Sequence, residues 1–363
     1  MSKTSPSIRV IALGFPIDLV TDGFKLFESG MPIPMEMNRR NFLRASAGAA
    51  LSAAVCAGCR TATSPAPDPV PVILATDIGD DIDDTWALGF LLKCPELDLK
   101  LVATEFGKAP YRAKLLGKFL EKTGHANIPI AVGPDVEPRG QGALAEWVQD
   151  YDLSSYPGCV HTDGVGAMID VIMSSARPLT LICIGPMANV AAALEREPRI
   201  ANRARFVGMD GSVRLGYDGA KTPCAEWNVK ADPGAARKGL SANWEITITP
   251  LDTCGLVTLE GDRYRRILEA RGPVATTIVE NYRLWSKAGK REAEAEEHSS
   301  TLFDPVAVYL AFSRHFCKME RLGIRVTDEG FTKIDDQAKQ MDVATEWTDI
   351  DGFRDLLVER ICS

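Results

Sequence analysis

Histidine is scarce in this chain, four among 363 residues, and of nine cysteines only the pair Cys56 and Cys59 stands at a metal-type spacing. A zinc centre assembled from paired His and Cys ligands therefore has no material here. Stripes of Lys and Arg interleaved with aromatics are also lacking, and the net charge of −8 speaks against a nucleic-acid partner. No apolar run is long enough for an ordinary membrane span, and no internal repeat occurs. What remains is a normal globular mixture, 45% hydrophobic and 25% charged, in a chain long enough for a sizeable core.

The first 69 residues differ in character from the rest. In "MNRRNFLRASAGAALSAAVCAGC" the pair Arg39 and Arg40 precedes Phe42, Leu43 and an Ala-rich apolar run, a pattern that resembles a twin-arginine export signal. The run ends at Ala57-Gly58-Cys59, which resembles a lipobox whose cysteine takes a lipid; an ordinary cleaved signal or a short amphipathic helix are the alternatives. Translation from Met35 or Met37 would place such a signal conventionally and make residues 1–36 an extension. Residues 61–71, "TATSPAPDPVP", read as a tether with no packing potential.

The expected organisation is an extension and export signal over 1–59, a linker over 60–69 and one domain over 70–363. The expected address is periplasmic, or on a membrane through Cys59. Residues 1–58 hold six basic and four acidic side chains, so the part from Cys59 onward has 35 basic against 45 acidic, or −10. Its seven further cysteines are an odd number lying mostly in apolar stretches, and read as buried free thiols.

From Val70 onward, short β-rich apolar runs alternate with helical periods. Strands are expected at 71–76, 99–105, 128–132, 179–185, 205–211 and 244–250, with helices near 84–93, 109–123, 164–176, 187–196 and 232–240. After residue 260 the chain turns mainly helical, interrupted by the polar stretch 290–300, and closes with strands near 322–327 and 340–345 and the helix "GFRDLLVERI". The alternation predicts an α/β fold, a doubly wound and mostly parallel sheet flanked by helices.

In such sheets functional loops follow the carboxyl ends of strands. The first strand ends in "TDIGDDIDDTWAL", which crowds Asp77, Asp80, Asp81, Asp83 and Asp84 into eight residues. Two carboxylates about 4 Å apart repel by about 4 kcal/mol at an effective dielectric of 20, so a partly buried cluster needs a cation. Oxygen ligands without His or Cys select Ca²⁺ or Mg²⁺. A solvated acidic turn is the plainer alternative, although such turns seldom sit between two strongly apolar segments.

Four segments in order, "TDIGDDIDDTWAL", "LICIGPMANVAAAL", "AEWNVKADPGAA" and "LFDPVAVYLAF", resemble the inosine-uridine preferring nucleoside hydrolases over roughly residues 70–363. The resemblance implies a calcium-dependent hydrolase of the N-glycosidic bond of ribosides. It implies Asp77, Asp84, Asp304 and the Ile184 carbonyl as calcium ligands, with Asp77 also accepting the proton of the attacking water. Asp83, Glu226 and Asn228 are implied as sugar contacts, and His161 as a neighbour of the base pocket. The expected partners are a small riboside and further copies of the chain.

Departures from the family pattern accompany the likeness. The acidic turn is two residues longer than usual, so which of Asp80, Asp81, Asp83 and Asp84 reach the ion is open; Asp83 and Asp84 are favoured because a helix begins there. Phe303 stands where many members have a histidine that protonates the leaving group, Lys108 and Ala220 where asparagines are usual. His161 and His298 are the two histidines in loops that offer a substitute donor, and Trp227 and Trp285 are candidates to stack on a base. A non-catalytic riboside-binding lipoprotein that keeps the ion is the competing reading. A phosphotransferase with an aspartate nucleophile is disfavoured, because "DIGDD" is not the usual Asp-x-Asp-x-Thr pattern.

Overall fold

Apolar residues at consecutive positions from Val72 to Ala75 leave the first strand no polar face, so it must be covered on both sides. In the computed structural model, which describes residues 68–135 and 142–363, it is an interior strand, fourth in the spatial order of a ten-stranded sheet. The strands are β1 (Val70–Thr76), β2 (Leu97–Thr104), β3 (Ile130–Ala131), β4 (Val160–His161), β5 (Leu179–Cys183), β6 (Ala204–Met209), β7 (Ile246–Thr249), β8 (Cys317–Val326), β9 (Thr332–Ile334) and β10 (Gln340–Trp347). Their spatial order is 4-3-2-1-5-6-7-10-8-9. All pairs are parallel except those of β8 with β10 and β9.

The chain therefore runs outward from β1 through β2, β3 and β4, then returns to the other flank of β1 as β5. The reversal makes the gap beyond β1 and β5 the topological switch point, where open α/β sheets form a crevice. The two strands pair from Val72 with Thr180 to Ala75 with Cys183, which brings Asp77 and Ile184 to the same edge.

Side chains alternate across each strand and feed two cores. Leu74 and Val72 join Trp86, Phe90, Phe119, Tyr309 and Phe353 on one face. Ile73 and Ala75 join Met168, Met187, Phe206 and Trp244 on the other. Helices Asp83–Leu92, Ala109–Lys122, Pro273–Ala288, Pro305–Leu310 and Ile350–Cys362 cover the first face, and Gly164–Ser174, Ala188–Arg196 and Pro233–Ser241 the second.

The parallel doubly wound sheet matches the sequence expectation. The differences have local causes. The strand expected over 128–132 narrows to β3, two residues at the sheet's thin end, and β4 and the short helix Trp227–Ala231 carried no periodic signal. The long helical stretch after 260 divides into Gly261–Glu269 and Pro273–Ala288, with Pro273 in the first turn of the second helix, where its missing N–H costs nothing. The export, lipid and linker readings at 1–67 lie outside the described residues. Among the described residues no helix is long and apolar enough to cross a membrane.

The closing helix locks the site's far wall through aromatic packing. Phe353 is fully buried, stacked on Trp347 at 5.0 Å and against Tyr309 at 5.2 Å, and Tyr309 lies on the helix that follows Asp304. Phe353→Ala is expected to lower stability by about 3–5 kcal/mol, from lost burial plus an uncollapsed cavity, as read by urea denaturation. A loss under about 1 kcal/mol would show that the closing helix stands apart from this core.

Candidate active site

At the end of β1 the backbone carries Asp77 to the sheet edge and reverses at Gly79, whose φ of +106° is open to glycine and strained for other residues. Helix Asp83–Leu92 starts immediately after, so Asp83 and Asp84 sit in a first turn whose free N–H groups favour negative charge. The Thr76 hydroxyl donates to the Asp84 carboxylate and fixes it. From more than 200 residues later, Asp304 arrives at the start of helix Pro305–Leu310. Carboxylate oxygens of Asp83, Asp84 and Asp304 lie within 4.8 Å of one another, and all three residues are buried.

Burial first, and repulsion from neighbouring aspartates including Asp77 second, hold the carboxyl groups of Asp83, Asp84 and Asp304 well above the usual carboxylate range. Burial also raises Asp77 to about 6, although the Arg112 guanidinium opposes the shift. Arg112 eases Asp77 and Asp84 by its charge, but one cation cannot balance the whole cluster, and its N–H groups bond the carbonyls of Asp77, Ile78, Phe106 and Gly107 and the Asp80 carboxylate. A buried all-oxygen set with excess negative charge fits a hard divalent cation, which is the group this donor chemistry selects.

A cavity of about 110 Å³ opens over these groups, and seven of the eight site residues expected from sequence line it. They are Asp77, Asp83, Asp84, Ile184, Glu226, Asn228 and Asp304. His161 lies on the outer strand β4 and is not among the lining residues. The three closest carboxylates include Asp83 rather than Asp77, which differs from the ligand set expected from sequence. Asp77 instead packs on Gly185, where an added Cβ would meet its Oδ1 at 2.6 Å.

Glu226 caps helix Trp227–Ala231, accepting the backbone N–H groups of Asn228 at 2.7 Å, Gly211 at 2.9 Å and Val229 at 3.3 Å. Burial raises its carboxyl to about 7 while those donors pull the other way. The Asn228 amide donates to the carbonyls of Ile184 at 3.3 Å and Met209 at 3.0 Å, tying two strand ends together.

Two of the departures from the family pattern meet each other in the structure. Lys108 Nζ pairs with Asp80 at 2.6 Å and Arg112 with the same carboxylate at 2.9 Å, so the lengthened acidic turn and the unusual lysine hold each other. Trp285 donates from Nε1 to the Asp80 carbonyl and is covered by Arg291, away from the lining of the Asp77 cavity. His298 bridges Glu260 and places Nδ1 2.8 Å from the Ser299 carbonyl, also outside the lining. Sequence reasoning missed Arg112, although it falls on the buried helical face with Ala109, Ala113 and Leu116, where a charge needs a reason. It also missed Tyr217, which lines the cavity from a single 3-10 turn, Tyr217–Gly219, too short to show a period.

The model of the family described as inosine-uridine preferring nucleoside hydrolase matches residues 72–355. The chain belongs to that family. Among its relatives are the pyrimidine-specific ribonucleoside hydrolase RihA of Enterobacter sp. (strain 638), 30% identical over 80% of this chain and 97% of the relative, and the non-specific ribonucleoside hydrolase RihC of Klebsiella pneumoniae, 32% identical over 59% and 72%. In fold it is similar to a plant nucleoside hydrolase, PpNRh1, with a TM-score of 0.69 at 20% identity over 81% of this chain and 99% of that one. A purine-preferring ribonucleoside hydrolase from Gardnerella vaginalis superposes with a TM-score of 0.66 at 22% identity over 80% and 98%.

In this family member the contact of Asp77 with Gly185 leaves no room for a methyl group. Gly185→Ala would bring Cβ within 3.0 Å of the Asp77 backbone nitrogen as well as its carboxyl, and backbone cannot yield cheaply. The expected result is a loss of at least about 100-fold in turnover, the scale of a displaced reacting group, together with a fall in stability of about 1–3 kcal/mol from the overpacked contact. Full activity in the purified variant would show that Asp77 is not held by this contact.

Proposed function

We propose that this enzyme hydrolyses the N-glycosidic bond of ribonucleosides, with calcium bound by Asp77, Asp84, Asp304 and the Ile184 carbonyl. The observation that carries the reading is the convergence of these residues, with Asp83, Glu226 and Asn228, in one cavity at the switch point. When bound, calcium supplies a positive charge that favours ionisation of water and accepts hydroxyl oxygens of a sugar. Asp77, held against Gly185, takes the proton of the attacking water at its carboxylate. Asp83 and the free lone pairs of Glu226 receive sugar hydroxyls, and Asn228 keeps the Ile184 carbonyl oriented. The surrounding negative charge favours the oxocarbenium-like state that glycoside hydrolysis passes through.

The test is release of reducing sugar from inosine, uridine and a 4-nitrophenyl riboside, with and without a chelator. Turnover should require calcium, and Asp77→Asn should lower it by about 10²–10⁴-fold while the fold survives. At 100 times its dissociation constant calcium should stabilise the parent by about 2.7 kcal/mol, and Asp84→Asn and Asp304→Asn should lose most of that gain. Calcium-dependent binding of ribose without any cleavage would establish the binding-protein reading in place of the enzyme.

The address is a separate proposal. Arg39 and Arg40 with the Cys59 lipobox are read as directing export and lipid attachment, on their sequence pattern alone. Replacing both arginines by lysine should retain the precursor inside the cell, and Cys59→Ala should end labelling by a fatty-acid probe. Unchanged export of the double-lysine form would overturn the twin-arginine reading.

A further inference from the structure

The cavity has a closed end and an open one. Asp83, Asp84 and Asp304 are buried at the first, while Tyr217 and Trp227 are 39% and 49% exposed at the second. On the reading above the sugar hydroxyls face the carboxylates, so the leaving group must depart toward the open end. Cleavage of a C–N bond leaves an electron pair on nitrogen, and a proton delivered as the bond breaks assists departure.

Proton donors are few there. Among the described residues, no His, Lys, Arg, Cys, Ser or Thr lines the cavity. The Asn228 amide donates to the main-chain carbonyls of Ile184 and Met209 and to the Met209 sulfur, and Glu226 is committed as an acceptor of three backbone N–H groups. Tyr217 is differently placed. Its hydroxyl accepts the Trp227 N–H at 3.0 Å, and among the described residues its own hydrogen goes to no acceptor. Accepting one hydrogen bond polarises the O–H for donating another.

The phenol is also held in position. Its ring meets Phe303 edge to face with centroids 6.0 Å apart, and the Tyr217 carbonyl accepts the Ala220 N–H at 3.1 Å. Partial burial, then the neighbouring Glu226, keep it above the ordinary tyrosine range, so it carries its proton at neutral pH.

Resting on the ribonucleoside-hydrolase reading, we propose that Tyr217 Oη is the proton donor to the leaving group. As the water oxygen bonds to the anomeric carbon, the C–N bond breaks and its electron pair goes to nitrogen. The Tyr217 proton passes to that nitrogen and a water proton passes to Asp77. Solvent at the open mouth reprotonates the phenolate and Asp77 returns its proton to solvent. One water is consumed, and ribose and the free base leave.

The experiment compares inosine with a 4-nitrophenyl riboside, whose leaving group needs no proton. Tyr217→Phe should reduce inosine turnover by about 10²–10⁴-fold and leave the activated riboside within about a factor of 3, with the calcium-dependent thermal shift unchanged. Tyr217→His, which keeps a proton donor, should turn over inosine faster than Tyr217→Phe. An unchanged inosine rate in Tyr217→Phe, or an equal fall on both substrates at an unchanged thermal midpoint, overturns the assignment and leaves the hydrolase reading intact. A parent enzyme that cleaves neither substrate overturns both.

Discussion

Repulsion among buried carboxylates is the constraint around which this molecule is organised. Burial first penalises the charge of Asp77, Asp83, Asp84 and Asp304, and neighbouring aspartates add to it: Asp80 and Asp81 act on Asp77, Asp81 and Asp77 on Asp83, Asp77 and Asp83 on Asp84, and Asp83, Asp84 and Asp77 on Asp304. At 4 Å and an effective dielectric of 20 one such pair costs about 4 kcal/mol. No arrangement of local chain would tolerate that unaided. The tolerance comes from the sheet, which closes two cores around β1 and β5 and leaves the acids at a rim where a cation and a ligand can balance them.

A second layer of charge keeps the acidic turn in shape. Arg112 is buried to 1% exposure and hydrogen-bonds main-chain carbonyls in the turns after β1 and β2, while its remaining N–H meets Asp80. Lys108 adds a second cation to the same carboxylate. Asp80 therefore belongs to the scaffold of the turn, and the pair of extra residues that sets this turn apart brings its own counter-charges. Pairs on exposed surfaces contribute little, and here the two cations are the sheltered partners, Lys108 13% and Arg112 1% exposed, while the Asp80 carboxylate they share is 41% exposed and open to screening.

The opposite wall works by shape and hydrogen bonding. Glu226 and Asn228 commit most of their bonding capacity to backbone groups of the strand ends, which holds the wall rigid and leaves few free donors near the mouth. The mouth itself is aromatic, with Trp227 edge to face with Phe106 and Tyr217 with Phe303. An acidic floor and an aromatic rim suit a ligand with a polyhydroxyl end and a flat or apolar end.

The fold was legible because its signals are local. Strands buried on both faces read as continuous apolar runs, and the helices between them read as 3.6-residue periods, so the parallel sheet followed from spacing alone. The acidic cluster was legible for the same reason, since five aspartates within eight residues are visible without a structure. What the sequence by itself determined is thus the α/β class, the family and the acidic edge of β1. The family resemblance had already set Asp304 beside Asp84, across more than 200 residues that no periodicity spans; only the tertiary structure decided that Asp83 is the third carboxylate of that close group. It also decided that Lys108 pairs with Asp80 and that Tyr217, whose hydroxyl accepts the Trp227 backbone N–H, joins the cavity lining. Those outcomes depend on loops packed by long-range contacts, where Coulomb attraction and hydrogen bonding act on neighbours in space that are remote in sequence.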